Sequence, residues 1–267
     1  MNVIELSVWQ LSIAAALLLM LAATLWLARL GLSRTLLIAA LRTAVQLTLI
    51  GLVLEALFAV GALVWVALLA LTMLILAGRE VWVRQQRPLA GSWGFVVGTV
   101  SMFISAFTVT ILMLTVVVQP DPWYQPQYAI PLLGMFLGNT MTSVTLALDR
   151  LTDSAWRQRA LIEARLMLGE TTDQALGDIR RAAVRSGLIP VINAMAAAGV
   201  VSVPGMMTGQ ILAGSPPSLA VKYQIMIMFG ITIGSGFGTF AAVLLASRRL
   251  FDNRQRLRLD RLRPARA

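Results

Sequence analysis

Apolar residues divide the chain into seven long stretches separated by short polar segments. Each stretch is about as long as the roughly 20 residues that cross a 30 Å hydrocarbon layer as a helix. The pattern therefore predicts an all-α, polytopic membrane protein with about seven transmembrane helices in a single domain, residues 1–267. The second and third stretches are separated only around Gly61, so one long kinked helix is the alternative there. The stretches cover 4–28, 35–58, 61–77, 94–118, 128–148, 188–212 and 219–246.

The basic residues give a separate test of the count, because Lys and Arg are retained in cytoplasmic loops. Of the 22 basic residues, 20 follow the odd-numbered stretches. Arg42 within the second stretch and Lys222 at the start of the seventh are the exceptions. This alternation predicts an external N-terminus and a cytoplasmic C-terminus, with a cytoplasmic loop at 149–186 and a basic cytoplasmic tail at 247–267.

Composition excludes several kinds of chemistry. The chain is 58% hydrophobic and 13% charged, and it contains neither Cys nor His, which removes disulfides, Cys/His metal sites and His-dependent triads. Lys222 is the only lysine and no P-loop glycines precede it, so the chain has no P-loop ATPase site. We expect no catalytic residues, no cofactor bound by this chain, and no nucleic-acid partner despite the net charge of +10, since the charges lie between apolar runs.

The long polar segment 149–186 predicts two cytoplasmic helices, one within AWRQRALIEARLML and one at about 172–185 that is capped by Thr171 or Thr172. Its spacing resembles the EAA loop of ABC importer permeases, which docks on a separate ATPase. Arg165 replaces the usual second alanine, and the Leu-Pro expected after the distal isoleucine is absent. An interfacial helix that only organises the loop is the alternative. The residues that carry the resemblance are Glu163, Ala164, Gly169 and Ile179.

Polar residues and helix breakers inside the apolar stretches indicate a substrate path. Pro204 and Gly205 predict a broken helix in the sixth stretch, and broken helices often mark the path in transporters, although a Pro kink that only shapes packing is the alternative. The path candidates are Arg42, Gln46, Asn139, Met206, Met207 and Gln210. Two alternatives to a role in the path are open. Arg42 could extend its side chain toward the lipid headgroups, and the polar residues and methionines could serve helix packing. The metal ligands are unknown, because a site would have to use Glu, Asn, Gln, carbonyl or Met ligands.

Three segments together resemble the bacterial FetB-type iron-export ABC permeases, which are relatives of plant aluminium-tolerance permeases. They are LRTAVQL-x-x-IG-x-VL from Leu41, IPLLGMFLGNTMTSVTLALDRL from Ile130, and VPGMMTGQILAG-x-x-P from Val203 followed by AVKYQIMIMF. The resemblance implies a multi-pass permease of the bacterial inner membrane. It also implies a separate ABC ATPase subunit that uses ATP, a second copy of the chain, and export of iron or a related solute.

Two other classes of function are open at this stage. An ion- or proton-coupled secondary transporter or channel would use Arg42 and Glu55 in place of ATP. An intramembrane enzyme is disfavoured because no acid-base, nucleophile or metal constellation is present. The basic tail is expected to contact anionic lipid headgroups.

Overall fold

The computed structural model describes residues 7–264, and most of these residues are α-helical. The described part of the chain does not include residues 4–6 of the first predicted stretch. It also does not include residues 265–267 of the tail, among which is Arg266. The helices are α1 (Val8–Leu27), α2 (Ser33–Val60), α3 (Leu63–Arg84), α4 (Trp93–Val118), α5 (Pro126–Arg157), α6 (Arg159–Met167), α7 (Thr172–Ala175), α8 (Gly177–Ala197), α9 (Gly205–Leu212) and α10 (Pro217–Arg249).

Six of these helices, namely α1 to α5 and α10, are long and apolar enough to cross a membrane. This confirms the all-α membrane fold, but the sixth of the seven predicted stretches is not a continuous helix. The stretch 188–212 belongs partly to α8 and partly to α9, and residues 198–204 between them are not helical. Pro204 precedes α9, where its missing N–H and fixed φ suit the start of a helix and oppose the continuation of α8.

The division between the second and third stretches is settled by Gly61. This residue ends α2 in the left-handed conformation, with φ +61°, and its N–H donates to the carbonyl of Leu57. Glycine adopts this conformation without the steric cost that a Cβ imposes. Two separate helices follow, and the long kinked helix is excluded.

Helix α5 lies at the centre of the bundle and packs against α3, α8 and α10. It runs parallel to α10, because Phe136 lies beside Gly230 and Thr140 beside Gly238. Helix α8 runs antiparallel to both, because its Gly187 lies beside Thr239 and its Met195 beside Thr232 of α10. Helices α1 and α2 lie at the edge of the bundle and are almost entirely exposed. In a bilayer their apolar side chains face lipid.

The helix directions bring the basic segments to one end of the bundle, which we call the basic end. It comprises the connections 28–32 and 85–92, the segment 150–186, and the tail 248–264. Arginines stack on tryptophans here, Arg87 over Trp156 at 4.6 Å and Arg249 over Trp93 at 4.5 Å. The cytoplasmic placement of this end stays a prediction.

The C-terminal tail folds back onto the bundle, whereas the sequence suggested only contact with lipid headgroups. Leu262 is 7% exposed and pairs with Leu89 in an antiparallel bridge. The N–H of Ala90 donates to the carbonyl of Arg261 at 2.7 Å, and the N–H of Arg263 to that of Pro88 at 2.9 Å. The tail thereby ties the end of α10 to the α3–α4 connection.

Replacing Leu262 by aspartate is expected to release the tail, because burial of a leucine side chain contributes about 2 kcal/mol. Limited trypsin digestion should then cleave after Arg254 and Arg256 at least several-fold faster than in the unaltered chain. The matched control, Asn253→Asp, adds the same charge at an exposed tail position and should leave the rate unchanged. Equal rates in both variants would contradict the docked tail.

Candidate coupling site and membrane path

The connection after α5 is built from two local motifs. Helix α6 ends at Met167, and Gly169 follows with φ +92°, which allows the N–H of Glu170 to donate to the carbonyl of Arg165 at 3.1 Å. Thr171 then caps α7, with Gln174 completing a capping box. Thr171, and not Thr172, is therefore the cap.

The helix boundaries differ from those predicted. Helix α5 continues to Arg157, so the predicted loop helix is divided at Gln158. The second predicted loop helix is also wrong in extent, because α7 has only four residues and α8 runs from the loop into the sixth apolar stretch. Apolar residues of the loop pack into the bundle and extend the membrane helices beyond the hydrophobic stretches; Ile179, for example, is 5% exposed.

Helix α6 has one buried and one exposed face. Ile162 is 1% exposed and packs into the core, whereas Met167 and Leu168 are 82% and 85% exposed. Glu163 is also exposed, one helical turn before Met167. We call Glu163, Met167 and Leu168 the α6 face. An acidic group beside two exposed apolar side chains is a surface suited to a protein partner.

An ion-pair network joins α6 to α8. Arg165 contacts Asp178 at 3.1 Å, and Asp178 also contacts Arg181 at 2.5 Å. The hydrogen bond from Arg165, followed by that from Arg181, holds the pKa of the Asp178 carboxyl below its ordinary value of 3.8. A depressed pKa means that the pair is intact above the ordinary carboxyl range and is lost only as the pH falls below it. Near neutral pH the network therefore links the α6 face to α8.

The four residues predicted to couple to an ATPase do not form one surface. Glu163 and Gly169 are exposed, Ala164 is half-buried, and Ile179 lies in the core. Their assignment to coupling stays a prediction. Met167 and Leu168 are exposed close to Glu163, which the sequence pattern did not indicate because both residues continue the apolar pattern of the helix.

The predicted path residues lie on three helices. Arg42 and Gln46 are on the edge helix α2, Asn139 is on α5, and α9 carries Met206, Met207 and Gln210 and packs on α10. No extensive contact joins α2 or α5 to α9. Within one chain these residues do not form a compact site, and their role in the path stays a prediction.

The polar residues of α5 lie on two different faces of the helix. Asn139 and Thr142 are exposed, and the Asn139 amide donates to the carbonyl of Met135 at 2.8 Å. Thr140 and Ser143 face the interior instead and are at most 2% exposed, as are Ser101, Ser105, Ser235 and Thr239. Thr140 and Ser105 both lie beside Gly238 of α10. Ser105 lies in a π-helical segment of α4, Phe103–Phe107. The sequence pattern does not reveal these inward-facing hydroxyls, because their position depends on the rotation of each helix about its axis.

Arg42 has a partner that the sequence analysis missed. Its guanidinium contacts the Glu80 carboxylate at 2.6 Å, and Arg84 contacts the same carboxylate at 3.2 Å. Arg79 and Glu80 follow the apolar stretch 61–77. A charged pair at the end of this span was the feature of the sequence that could have indicated a partner for Arg42. The pairing explains how a charged residue is accommodated within α2.

Helix α9 follows the non-helical segment 198–204, and its Met206, Met207 and Gln210 side chains are half-buried. The Oε1 atom of Gln210 is buried and has no hydrogen-bond partner among the described residues. Within residues 7–264 no group of three or more Asp, Glu, Cys or His side chains is placed to hold a metal ion.

A bundle of six long apolar helices, with lipid-compatible outer faces and one polar basic end, defines a polytopic α-helical membrane protein. The chain belongs to the family described as uncharacterised protein family UPF0014, which matches residues 8–251. Members of both groups align with this chain, which confirms the predicted resemblance to FetB-type permeases and their plant relatives.

Relatives from bacteria and plants align over most of the chain. A UPF0014 membrane protein of Synechocystis is 39% identical over 81% of this chain and 83% of its own length. The probable iron export permease protein FetB of Escherichia coli is 31% identical over 83% of each chain. The protein ALUMINUM SENSITIVE 3 of Arabidopsis thaliana is 35% identical over 70% of this chain and 66% of its own. No solved structure matches.

Proposed function

We propose that this chain is the membrane-spanning subunit of an ABC transporter that exports iron or a related solute from the bacterial cytoplasm across the inner membrane. The similarity to the probable iron export permease FetB over 83% of each chain carries this proposal. A separate ABC ATPase subunit supplies the energy, and this chain binds no cofactor of its own.

The geometry of the basic end supports a coupling role for α6. A docking partner needs an exposed surface, which the α6 face offers, and a rigid connection to the membrane helices. The connection is provided by buried Ile162 and by the Arg165–Asp178 pair. A push on α6 would therefore move α8, which leads directly to the broken segment 198–204.

A second copy of the chain would complete the path. Helix α5 is long enough to span the bilayer. One of its faces is exposed and carries small and polar residues, namely Gly138, Asn139 and Thr142. Small residues let helices approach closely in membranes, and polar side chains there bond across helices or line a path. Pairing of two such faces would place both Asn139 side chains in one seam.

The alternative, an ion- or proton-coupled secondary transporter or channel, would use Arg42 and Glu55 in place of ATP. The two residues are 13 positions apart on one helix, or about 20 Å at 1.5 Å per residue. Arg42 is instead paired with Glu80. No observation in the described part of the chain favours this alternative over ATP-driven transport.

The decisive experiment reverses the charge on the α6 face. Glu163→Arg is expected to weaken co-purification of the ATPase about tenfold and to lower iron-dependent ATP hydrolysis similarly, because it places a repelling charge in a protein interface. Membrane insertion should be normal, since Glu163 is exposed. Transport is measured with radiolabelled iron in inside-out vesicles that contain both subunits.

Glu55→Gln is the matched control, because Glu55 is also an exposed acid but lies on α2. We expect unchanged ATP-driven transport in this variant. Full coupling in Glu163→Arg would remove the assignment of α6. Iron movement by the chain alone under a proton gradient, lost in Glu55→Gln, would establish secondary transport instead.

A further inference from the structure

A groove at the basic end lies between α8 and the last turns of α10, and we call it the α8–α10 groove. It consists of two adjoining cavities of about 510 Å³ and 180 Å³, which share Asp173 and Arg180 in their walls. The larger cavity has Arg185 on the α8 wall and Phe240 and Leu244 on the α10 wall. The smaller cavity extends to Ser247 and Arg248.

The α10 wall of the groove changes from apolar to polar along its length. Phe240 is 64% exposed and begins the wall, and Arg248 ends it eight positions later, about 12 Å away at the rise of an α-helix. Between them Ser247 is 5% exposed, and its Oγ has no hydrogen-bond partner among the described residues. A buried hydroxyl without a partner is costly unless a ligand or water supplies one.

The groove carries uncompensated positive charge. Arg180 is paired with Asp173 at 2.8 Å, and Asp252, which lines the smaller cavity, is paired with Arg256 at 2.9 Å. Arg185 and Arg248 form no ion pair within residues 7–264. Two cations therefore remain beside an apolar wall.

We propose that the α8–α10 groove binds an anionic phospholipid. The phosphate would lie beside Ser247 and Arg248 in the smaller cavity, and an acyl chain would cover Phe240 and Leu244 in the larger one. Arg185, on the α8 wall, would add to the attraction for the anionic lipid. Basic pockets between membrane helices are suited to anionic headgroups, because the bilayer surface supplies the lipid and the low dielectric strengthens the attraction. A soluble phosphate compound would satisfy the arginines but leave the apolar wall exposed, so the wall favours the lipid.

The test is native mass spectrometry of the purified chain titrated with phosphatidylglycerol or phosphatidylcholine of the same acyl chains. We expect phosphatidylglycerol to be retained more strongly. Arg185→Gln combined with Arg248→Gln should lower its affinity about 30-fold, at the contribution typical of two surface arginines. Arg150→Gln with Arg254→Gln removes the same charge at exposed positions outside the groove and should have no effect.

Two further variants separate the parts of the site. Phe240→Ser should weaken retention of the lipid although the arginines are unchanged, and Ser247→Ala should weaken it several-fold without altering charge. Soluble glycerol phosphate should not displace the lipid. Equal retention in the groove and control double variants, displacement by glycerol phosphate at equal concentration, or a dimer that excludes lipid from the groove would each overturn the proposal.

Discussion

Gly187→Ala is expected to destabilise the helix bundle by about 3 kcal/mol, at the upper end of the usual cost of overpacking. A Cβ at this position would lie 2.7 Å from the backbone oxygen of Ser143 and 3.0 Å from the side chains of Ala147 and Thr239. The oxygen belongs to the central helix α5, so it cannot move aside as a flexible side chain would. The helices α5, α8 and α10 must separate instead.

Thermal unfolding in detergent micelles measures this effect, with Gly236→Ala as the control. Gly236 is also helical, and no heavy atom lies within 4 Å of the position its Cβ would take. Alanine should be neutral or slightly stabilising there, because it has the higher helix propensity. A similar change in melting temperature for both variants would show that α8 does not pack against α5 at Gly187.

Glu80→Gln is expected to destabilise the chain by about 2 kcal/mol, because it leaves Arg42 without its charge partner inside a membrane helix. The Glu80 side chain is 15% exposed and lies within reach of three arginines, at 2.6 Å from Arg42, 3.2 Å from Arg84 and 3.9 Å from Arg79. Helix α2 buries little else against the bundle, so this ion pair contributes much of its attachment.

A double-mutant cycle isolates the pair. Arg42→Leu together with Glu80→Leu should recover stability relative to Glu80→Leu alone, with a coupling of about 1 kcal/mol or more between the two sites. Arg79→Gln serves as the control, since Arg79 is 62% exposed and its contact is the longest. Additive effects of the Arg42 and Glu80 changes would disprove the interaction.

Local signals predicted the parts of the fold that depend on neighbouring residues. Runs of apolar residues identified the membrane helices, and Gly61, around which the second and third stretches are separated, adopts the left-handed conformation that ends α2. Pro204 and Gly205 lie where the structure interrupts the sixth stretch. These features follow from the chain's own sterics and hydropathy, so they can be read without knowing what packs against them.

The loop boundaries were less predictable for a tertiary reason. Helix α5 continues past Asp149, and the carboxylate of this residue accepts a hydrogen bond at 2.7 Å from the backbone N–H of Gln86. Charged residues normally indicate the end of a span, but here they lie on helices that extend beyond the hydrocarbon layer and pack together. Hydropathy alone therefore ended the helices too early.

The sequence by itself determined the membrane class, the approximate spans and the gathering of arginines into a few segments. Only the tertiary structure decided that Thr140 and Ser143 face inward while Asn139 faces outward, and that Arg42 meets Glu80. In water an apolar stripe identifies the buried face of a helix. In a bilayer both the core and the lipid are apolar, so the pattern along the chain carries little information on helix rotation or on partners.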